Sequence, residues 1–238
     1  MAHHPTYVVP PTEPHTHTII FLHGRGSDAT TFCSELFESQ DSSSRLLTDI
    51  FPSIRWVFPC APKTHAKTEK EEMSQWFDMS SVQSPQEELE VQKPGLWESM
   101  TMTLGIINEE ADIVGLGNVL VAGISQGCAV SIFTLLESGL QVGGFIGLSG
   151  WLPLAEEIVP LMDVPGRTKD VLSTPVLLQH CEDDPVVPFG QGQKLRDELK
   201  KLGMAVEWQS FRQGGHWLNE PDGMGGMVKF IQDFVKAS

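Results

Sequence analysis

Basic residues are scarce in this chain. Sixteen Lys and Arg stand against thirty-one Asp and Glu, a formal charge of −15 over 238 residues. A surface of that sign repels phosphate backbones and anionic headgroups, so it excludes nucleic acid as a tight partner and an anionic membrane surface as a docking site. Long hydrophobic runs are missing as well. No stretch approaches the ~20 apolar residues needed to cross a bilayer, and stable membrane insertion is not expected. The opening residues, Met1-Ala2-His3-His4-Pro5, carry neither the charged nor the apolar region of a secretory signal. Cysteine is sparse: Cys33, Cys60, Cys128 and Cys181 are widely spaced and form no C-x-x-C. That usage predicts reduced thiols in a cytoplasmic protein. Metal-ligand clusters are lacking too. His15 and His17 make an H-x-H pair with no further ligands beside it, which predicts surface histidines.

What remains is an ordinary globular composition, 40% hydrophobic, in a chain long enough for one domain with a sizeable core. Continuous apolar runs at Thr18–Leu22, Ile54–Phe58, Val119–Ala122, Gly144–Ser149 and Thr174–His180 suit strands buried on both faces, and Ala205–Phe211 alternates like a strand. Helices are expected near Ala29–Ser39, Ser44–Phe51, Gly190–Leu202 and Met224–Val235. Another is expected from Gly95, where apolar residues recur at Leu96, Met100, Leu104, Ile107, Ala111 and Val114. Strands alternating with helices predict an α/β fold, with a mostly parallel sheet and helices on both faces. Residues 1–17 form an extended, proline-rich lead-in with an edge strand at Tyr7–Val9. Residues 61–94 break the alternation, and Glu69–Glu90 holds seven acidic residues and one basic residue. This stretch is expected to be a covering loop anchored by Trp76-Phe77, or else a solvated acidic excursion.

The chemistry concentrates at Gly123-Ile124-Ser125-Gln126-Gly127. An apolar strand leads into it and a helical run follows, which puts a serine at the apex of a sharp turn. A serine hydroxyl is a weak nucleophile, and such a turn exposes it to a base and aims it at a carbonyl. On such a sheet the acid and the histidine follow the serine in chain order. Asp183 and Asp184 lie just past the strand ending at His180, and His216 lies just past the strand ending at Phe211. Spacing alone leaves the two acids open. In this arrangement His216 takes the Ser125 proton, and the aspartate fixes its tautomer. His180 and His23 read as structural, and Cys128 as a small buried hydrophobe. Attack also needs N–H donors for the oxyanion. One is the backbone N–H of Gln126. The other falls in the loop His23-Gly24-Arg25-Gly26, at Arg25 or Gly24.

The ordered motifs Phe21-Leu22-His23-Gly24, Pro59-Cys60-Ala61-Pro62, Trp76-Phe77-Asp78, Gly123–Gly127 with Leu148–Pro153, and Asp184–Pro188 before Gly215-His216 resemble the acyl-protein thioesterase, carboxylesterase and lysophospholipase family of α/β-hydrolases. The resemblance covers nearly the whole chain from Thr18. It implies a single α/β-hydrolase domain that cleaves carboxylic esters or acyl thioesters through a Ser125 acyl-enzyme. It places the acid at Asp184, directly before proline, and the oxyanion donors at Arg25 and Gln126. Trp76, Trp151 and Trp217 are candidates for substrate contact. The implied partner is a small ester or an acylated protein, no metal or organic cofactor is required, and monomer and weak homodimer both stay open. The sequence departs from the family at Arg25, where an apolar residue lining an acyl channel is usual, and at Cys128 and Cys181, where glycines are usual. Trp217 puts a large ring beside His216. A cation at Arg25 meets a polar substrate group or reaches solvent. The alternative from another class is a non-catalytic ligand-binding protein on the same fold.

Overall fold

The computed structural model describes residues 6–237. Its elements run, in chain order, β1 (Thr6–Val9), β2 (His17–Leu22), α1 (Ala29–Glu38), α2 (Leu47–Ile50), β3 (Ile54–Pro59), β4 (Lys63–Ala66), β5 (Glu71–Ser74), α3 (Leu89–Val114), β6 (Val119–Ile124), α4 (Gln126–Ser138), β7 (Gly144–Leu148), α5 (Ala155–Leu161), β8 (Val176–Cys181), α6 (Phe189–Lys201), β9 (Val206–Phe211) and α7 (Asp222–Lys236). Seven strands form one sheet in the order β1-β3-β2-β6-β7-β8-β9. Only β1 is antiparallel, pairing Thr6 with Pro59 and Val9 with Trp56 along the edge of β3. Residues 1–5 of the expected lead-in lie outside the described residues.

Alternation along the parallel strands builds two cores. Ile20, Leu22, Val57, Val119, Val121, Phe145 and Leu178 face the layer of α3, α4, α5 and α6. Their neighbours Ile19, Phe21, Trp56, Leu120, Ala122, Ile146 and Leu177 face α1, α2 and α7. With both faces covered, β2, β6, β7 and β8 are buried at every position, so their sequences read as unbroken apolar runs. The sheet therefore delivers its parallel strand ends to one edge of the molecule, where the loops after β2, β6, β8 and β9 carry the polar residues.

Several elements differ from the sequence expectation. The α2 helix is one turn long because Asp41 accepts hydrogen bonds from the Ser43 and Arg45 N–H groups at 2.8 and 3.0 Å, which holds residues 41–45 in a turn. The α3 helix starts at Leu89, not Gly95. Buried Gln92 donates to the Pro85 and Glu87 carbonyls at 2.9 and 3.0 Å and fixes the extra turn despite Pro94. Residues 61–94 are not a plain loop: β4 and β5 form an antiparallel hairpin pairing Lys63 with Ser74 and Ala66 with Glu71. Trp76 and Phe77 are buried and anchor the segment to α3. The α5 helix was not expected. His17 is not a surface histidine: it opens β2, is buried, and packs edge-on to Phe234 with ring centroids 5.0 Å apart. Burial holds its imidazole below the ordinary histidine pKa. All four cysteines are free. Burial pushes the Cys128 thiol up to about 12, which leaves it inert.

Candidate active site

Ser125 sits between β6 and α4 with φ 56° and ψ −122°, a conformation that L-residues rarely adopt. Strain of this kind costs about 1–3 kcal/mol and persists only where the surroundings impose it. Here the Ser125 N–H donates to the Leu148 carbonyl at 2.9 Å and the Ser125 carbonyl accepts from Ala129 at 3.1 Å. The flanking glycines are a steric requirement. A Cβ on Gly123 would fall on the Gly127 backbone, and one on Gly127 would fall on the Leu22 carbonyl. The turn is thus held in place by β2, β7 and α4 together.

The loop after β8 supplies the acid, and the structure separates the adjacent aspartates. Asp184 Oδ2 lies 2.8 Å from His216 Nδ1, whereas Asp183 accepts from the Gly215 N–H at 2.9 Å and steadies the histidine loop. The Asp184 side chain is fully buried and its Oδ1 accepts the Val186 and Val187 N–H groups at 2.8 and 2.9 Å. Burial works to raise its pKa, but His180, His216 and the Val186 N–H outweigh it and hold the carboxyl well below the usual carboxylate range. With Nδ1 given to the carboxylate, His216 keeps Nε2 for proton transfer. Ser125 and His216 are not hydrogen bonded to one another among the described residues, so the structure joins two of the three expected triad members directly. Such bonds commonly tighten only with substrate bound.

His180 was read as a strand-end structural residue, and its contact with the acid was missed. Its Nε2 lies 3.0 Å from the Val187 carbonyl and 3.3 Å from Asp184 Oδ2, with both side chains fully buried. Two acceptors at one nitrogen require the Nε2–H tautomer. Placement four residues before the acid, at the end of a buried strand, was the available signal.

The loop after β2 packs directly against the serine. A Cβ on Gly24 would lie 3.5 Å from Ser125 Cβ. His23 is scaffolding: its Nδ1 bonds the Gly24 carbonyl at 2.7 Å and its Nε2 accepts the Ala61 N–H at 3.0 Å. Burial lowers its pKa, so it is held neutral. The Gly26 N–H is used by the Ser74 carbonyl at 2.8 Å and the Ser27 N–H by Gly24 at 3.3 Å, which leaves Gly24 and Arg25 as the loop's candidate donors. Gln126 opens α4, so its N–H has no partner within the helix. Its side chain, not anticipated from sequence, spans to the Trp76 N–H at 2.8 Å and the Phe77 carbonyl at 2.7 Å.

The three tryptophans do not share a surface. Trp76 and Trp151 are each 1% exposed. Trp76 donates its indole N–H to the His23 carbonyl at 2.8 Å, and Trp151 packs edge-on to Phe77. Both are packed into the core, and Trp76 also lines a groove against α3. Trp217 is partly buried and packs on Phe32 of α1 at 5.8 Å. Arg25 does not offer a free cation: its guanidinium is taken by Glu69 and Gln75. A groove of about 970 Å³ between α3 and the hairpin, lined by Phe77, Val91, Trp97, Met102 and Ile106 among others, contains none of Ser125, Asp184 or His216. Among the described residues no three His, Cys, Asp or Glu side chains converge as a metal site, and no helix is long and apolar enough to cross a membrane.

A strained serine elbow on a mostly parallel sheet, with a buried aspartate bonded to a partly exposed histidine, defines a serine hydrolase of the α/β-hydrolase fold. Residues 3–235 match the phospholipase/carboxylesterase family model, and the chain belongs to that family. It is 30% identical over 220 residues to acyl-protein thioesterase 1 of Yarrowia lipolytica, covering 89% of each chain. It is 30% identical over 224 residues to carboxylesterase SOBER1 of Arabidopsis thaliana, covering 92% of this chain and 89% of that one. The crystal structure of Zea mays acyl-protein thioesterase 2 superposes with a TM-score of 0.80 at 25% identity, covering 98% of this chain and 99% of that one. These relationships favour an enzyme over a non-catalytic binding protein.

Proposed function

We propose that Ser125, His216 and Asp184 form the catalytic triad of an esterase acting on carboxylic esters or acyl thioesters. The Ser125 Oγ attacks the substrate carbonyl carbon and His216 Nε2 takes its proton. The resulting oxyanion is stabilised by the N–H groups of Arg25 and Gln126. Collapse expels the alkoxide or thiolate, which leaves with the proton from His216, and Ser125 keeps the acyl group. Water then attacks the acyl carbon with His216 as base, collapse breaks the bond to Ser125 Oγ as His216 returns the proton to it, and the carboxylic acid departs. Asp184 stays ionised throughout and stabilises the imidazolium. The chain's own residues carry every step, and the seven-stranded sheet supports reading residues 1–238 as a single hydrolase domain.

The observation that carries this reading is the strained Ser125 apex beside a 2.8 Å His216–Asp184 bond. The names of the relatives, acyl-protein thioesterase and carboxylesterase, support a small ester or an acylated protein as the substrate. Ser125→Ala should lower kcat for p-nitrophenyl acetate by about 10⁶-fold and abolish labelling by a fluorophosphonate probe, with the fold intact by circular dichroism. Full turnover in that variant would overturn the proposal.

A further inference from the structure

The loop after β2 is tied to the β4–β5 hairpin through the side chain of Arg25. Arg25 Nη1 and Nη2 donate to Glu69 Oε1 and Oε2 at 2.6 and 2.8 Å, and Arg25 Nε donates to Gln75 Oε1 at 2.9 Å. Such a fork fixes direction as well as distance. Both partners are themselves held. Glu69 lies in the hairpin turn, which the Lys70 N–H closes onto the Ala66 carbonyl at 2.7 Å. Gln75 is fully buried, its N–H donates to the Pro62 carbonyl at 3.1 Å, and its Nε2 donates to Thr64 Oγ1 at 3.0 Å. Buried Trp76 and Phe77 follow and anchor the hairpin in the core. The Arg25 side chain is only 12% exposed, so the pair is partly desolvated. The hydrogen bonds from Arg25 hold the Glu69 carboxyl below its ordinary pKa, and the pair stays charged near neutrality.

The backbone of Arg25 lies between two pinned peptides. His23 Nε2 accepts the Ala61 N–H, so the ring proton is on Nδ1, which donates to the Gly24 carbonyl at 2.7 Å. The Ser27 N–H donates to the same carbonyl at 3.3 Å. These bonds set the plane of the Gly24–Arg25 peptide, which carries the Arg25 N–H. The next peptide is set by the Gly26 N–H, which donates to the Ser74 carbonyl at 2.8 Å. Arg25 is flanked by Gly24, which packs on Ser125, and by Gly26, which has φ 84°. Glycines leave such a segment free to turn about its own dihedrals. An oxyanion donor has to be aimed before charge develops on the substrate. The arginine fork supplies the stiffness that the glycines withhold.

Resting on the esterase reading above, we propose that the Glu69–Arg25 pair preorganises the oxyanion hole. Glu69 is a positioning residue, with Gln75 beside it, and it acts only through Arg25. It holds the residue whose backbone N–H receives the negative charge that develops on the substrate oxygen. An interaction of that kind lowers the barrier and leaves binding of the uncharged substrate alone.

The test is steady-state kinetics on p-nitrophenyl acetate, together with inhibition by a trifluoromethyl ketone, whose adduct with Ser125 Oγ carries the oxyanion of the tetrahedral intermediate. Glu69→Ala should lower kcat about tenfold, a part of the roughly 10²–10³-fold lost with a whole donor. KM should stay within about twofold, while Ki for the ketone rises about tenfold. Arg25→Met keeps the backbone N–H and removes only the guanidinium. It should lose about as much, and the double variant no more than either single one. Glu69→Gln keeps one acceptor oxygen and should fall between, and it decides the matter if Glu69→Ala does not fold. Glu72→Ala, on the same hairpin, should keep its kcat. An unchanged kcat, a rise in KM that accounts for the whole loss, or additive losses in the double variant overturns the inference and leaves the esterase assignment standing. An intact protein that neither hydrolyses the acetyl ester nor labels at Ser125 with the fluorophosphonate would instead overturn that assignment, and this inference with it.

Discussion

The β6–elbow–α4 unit, which carries Ser125, and the β4–β5 hairpin are built in opposite ways. Every residue of β6 is buried, as are Gln126 through Leu136 on α4. The hairpin buries only Ala66 and Ser74 of its eight strand residues. The first is placed by backbone crowding, so its geometry follows from the sheet itself. The second is held by side chains that reach back to it, chiefly Arg25 and Gln75. A nucleophile needs its geometry fixed to fractions of an ångström, which close packing supplies. Substrate choice tolerates a looser element, and an exposed hairpin can change composition without disturbing the core. The difference puts the rigid geometry that chemistry needs on the buried side and leaves the exposed side to side-chain tethers.

The sharpest way to break that contrast is Gly127→Ala. One methyl would be driven onto the Leu22 carbonyl. Relief requires β2 or α4 to move, and the expected cost is on the order of 4 kcal/mol. The variant should lose most of its thermal stability and all of its esterase turnover. Normal melting and activity would show that the elbow is not pinned by β2.

Gln126→Ala ranks next and probes the seam between the two regions. It leaves the buried Trp76 N–H and Phe77 carbonyl without partners. The expected destabilisation is about 2–4 kcal/mol, read as a lower urea midpoint, together with a fall in kcat as the oxyanion loop loosens. A fall in kcat with no change in midpoint would mean that the amide acts on substrate and not through residues 76–77.

Acid should weaken the buried side through His23 and His17. Both have folded-state pKa values held below 6.5 by burial. The unfolded chain takes up protons as pH falls through ~6.5 while the folded protein still refuses them, so their contribution is full above that pH and declines below it. Urea midpoints should therefore drop between neutrality and pH ~5. His17→Phe, which can keep the edge contact on Phe234 without titrating, should make the drop shallower.

The same contrast explains what could be read in advance. Strands covered on both faces, such as Ile19–Leu22 and Val119–Ile124, appear in sequence as apolar runs, so the mostly parallel sheet around Ser125 was legible while its strand order was not. Also legible were the elbow, the order of acid and histidine, and the loop carrying Gly24 and Arg25. The choice between Asp183 and Asp184 was not legible from spacing and came from the resemblance. The contacts of the two carboxylates with Gly215 and His216 show why neighbours in sequence take different partners. The hairpin was invisible because Lys63–Ser74 has no apolar alternation for a strand to announce itself by. His17 was misplaced because its burial comes from Phe234, 217 positions away. The Arg25–Glu69 pair was likewise out of reach: nothing local in either segment names a partner 44 residues distant.

The smallest expected effect sharpens the comparison most. His65 and Glu72 face one another across the hairpin at 3.7 Å, with side chains 58% and 66% exposed. Solvent screens such a pair, and ordering two mobile side chains cancels much of the attraction. Glu72→Ala should therefore change the unfolding free energy from urea titration by less than about 0.5 kcal/mol. Glu69→Ala, at the hairpin turn, breaks a partly desolvated pair with Arg25 and should cost more, about 1–2 kcal/mol. If Glu72→Ala cost more than about 1 kcal/mol, the hairpin would belong to the cooperative core. The contrast between a close-packed elbow and a side-chain-tethered hairpin would then fail.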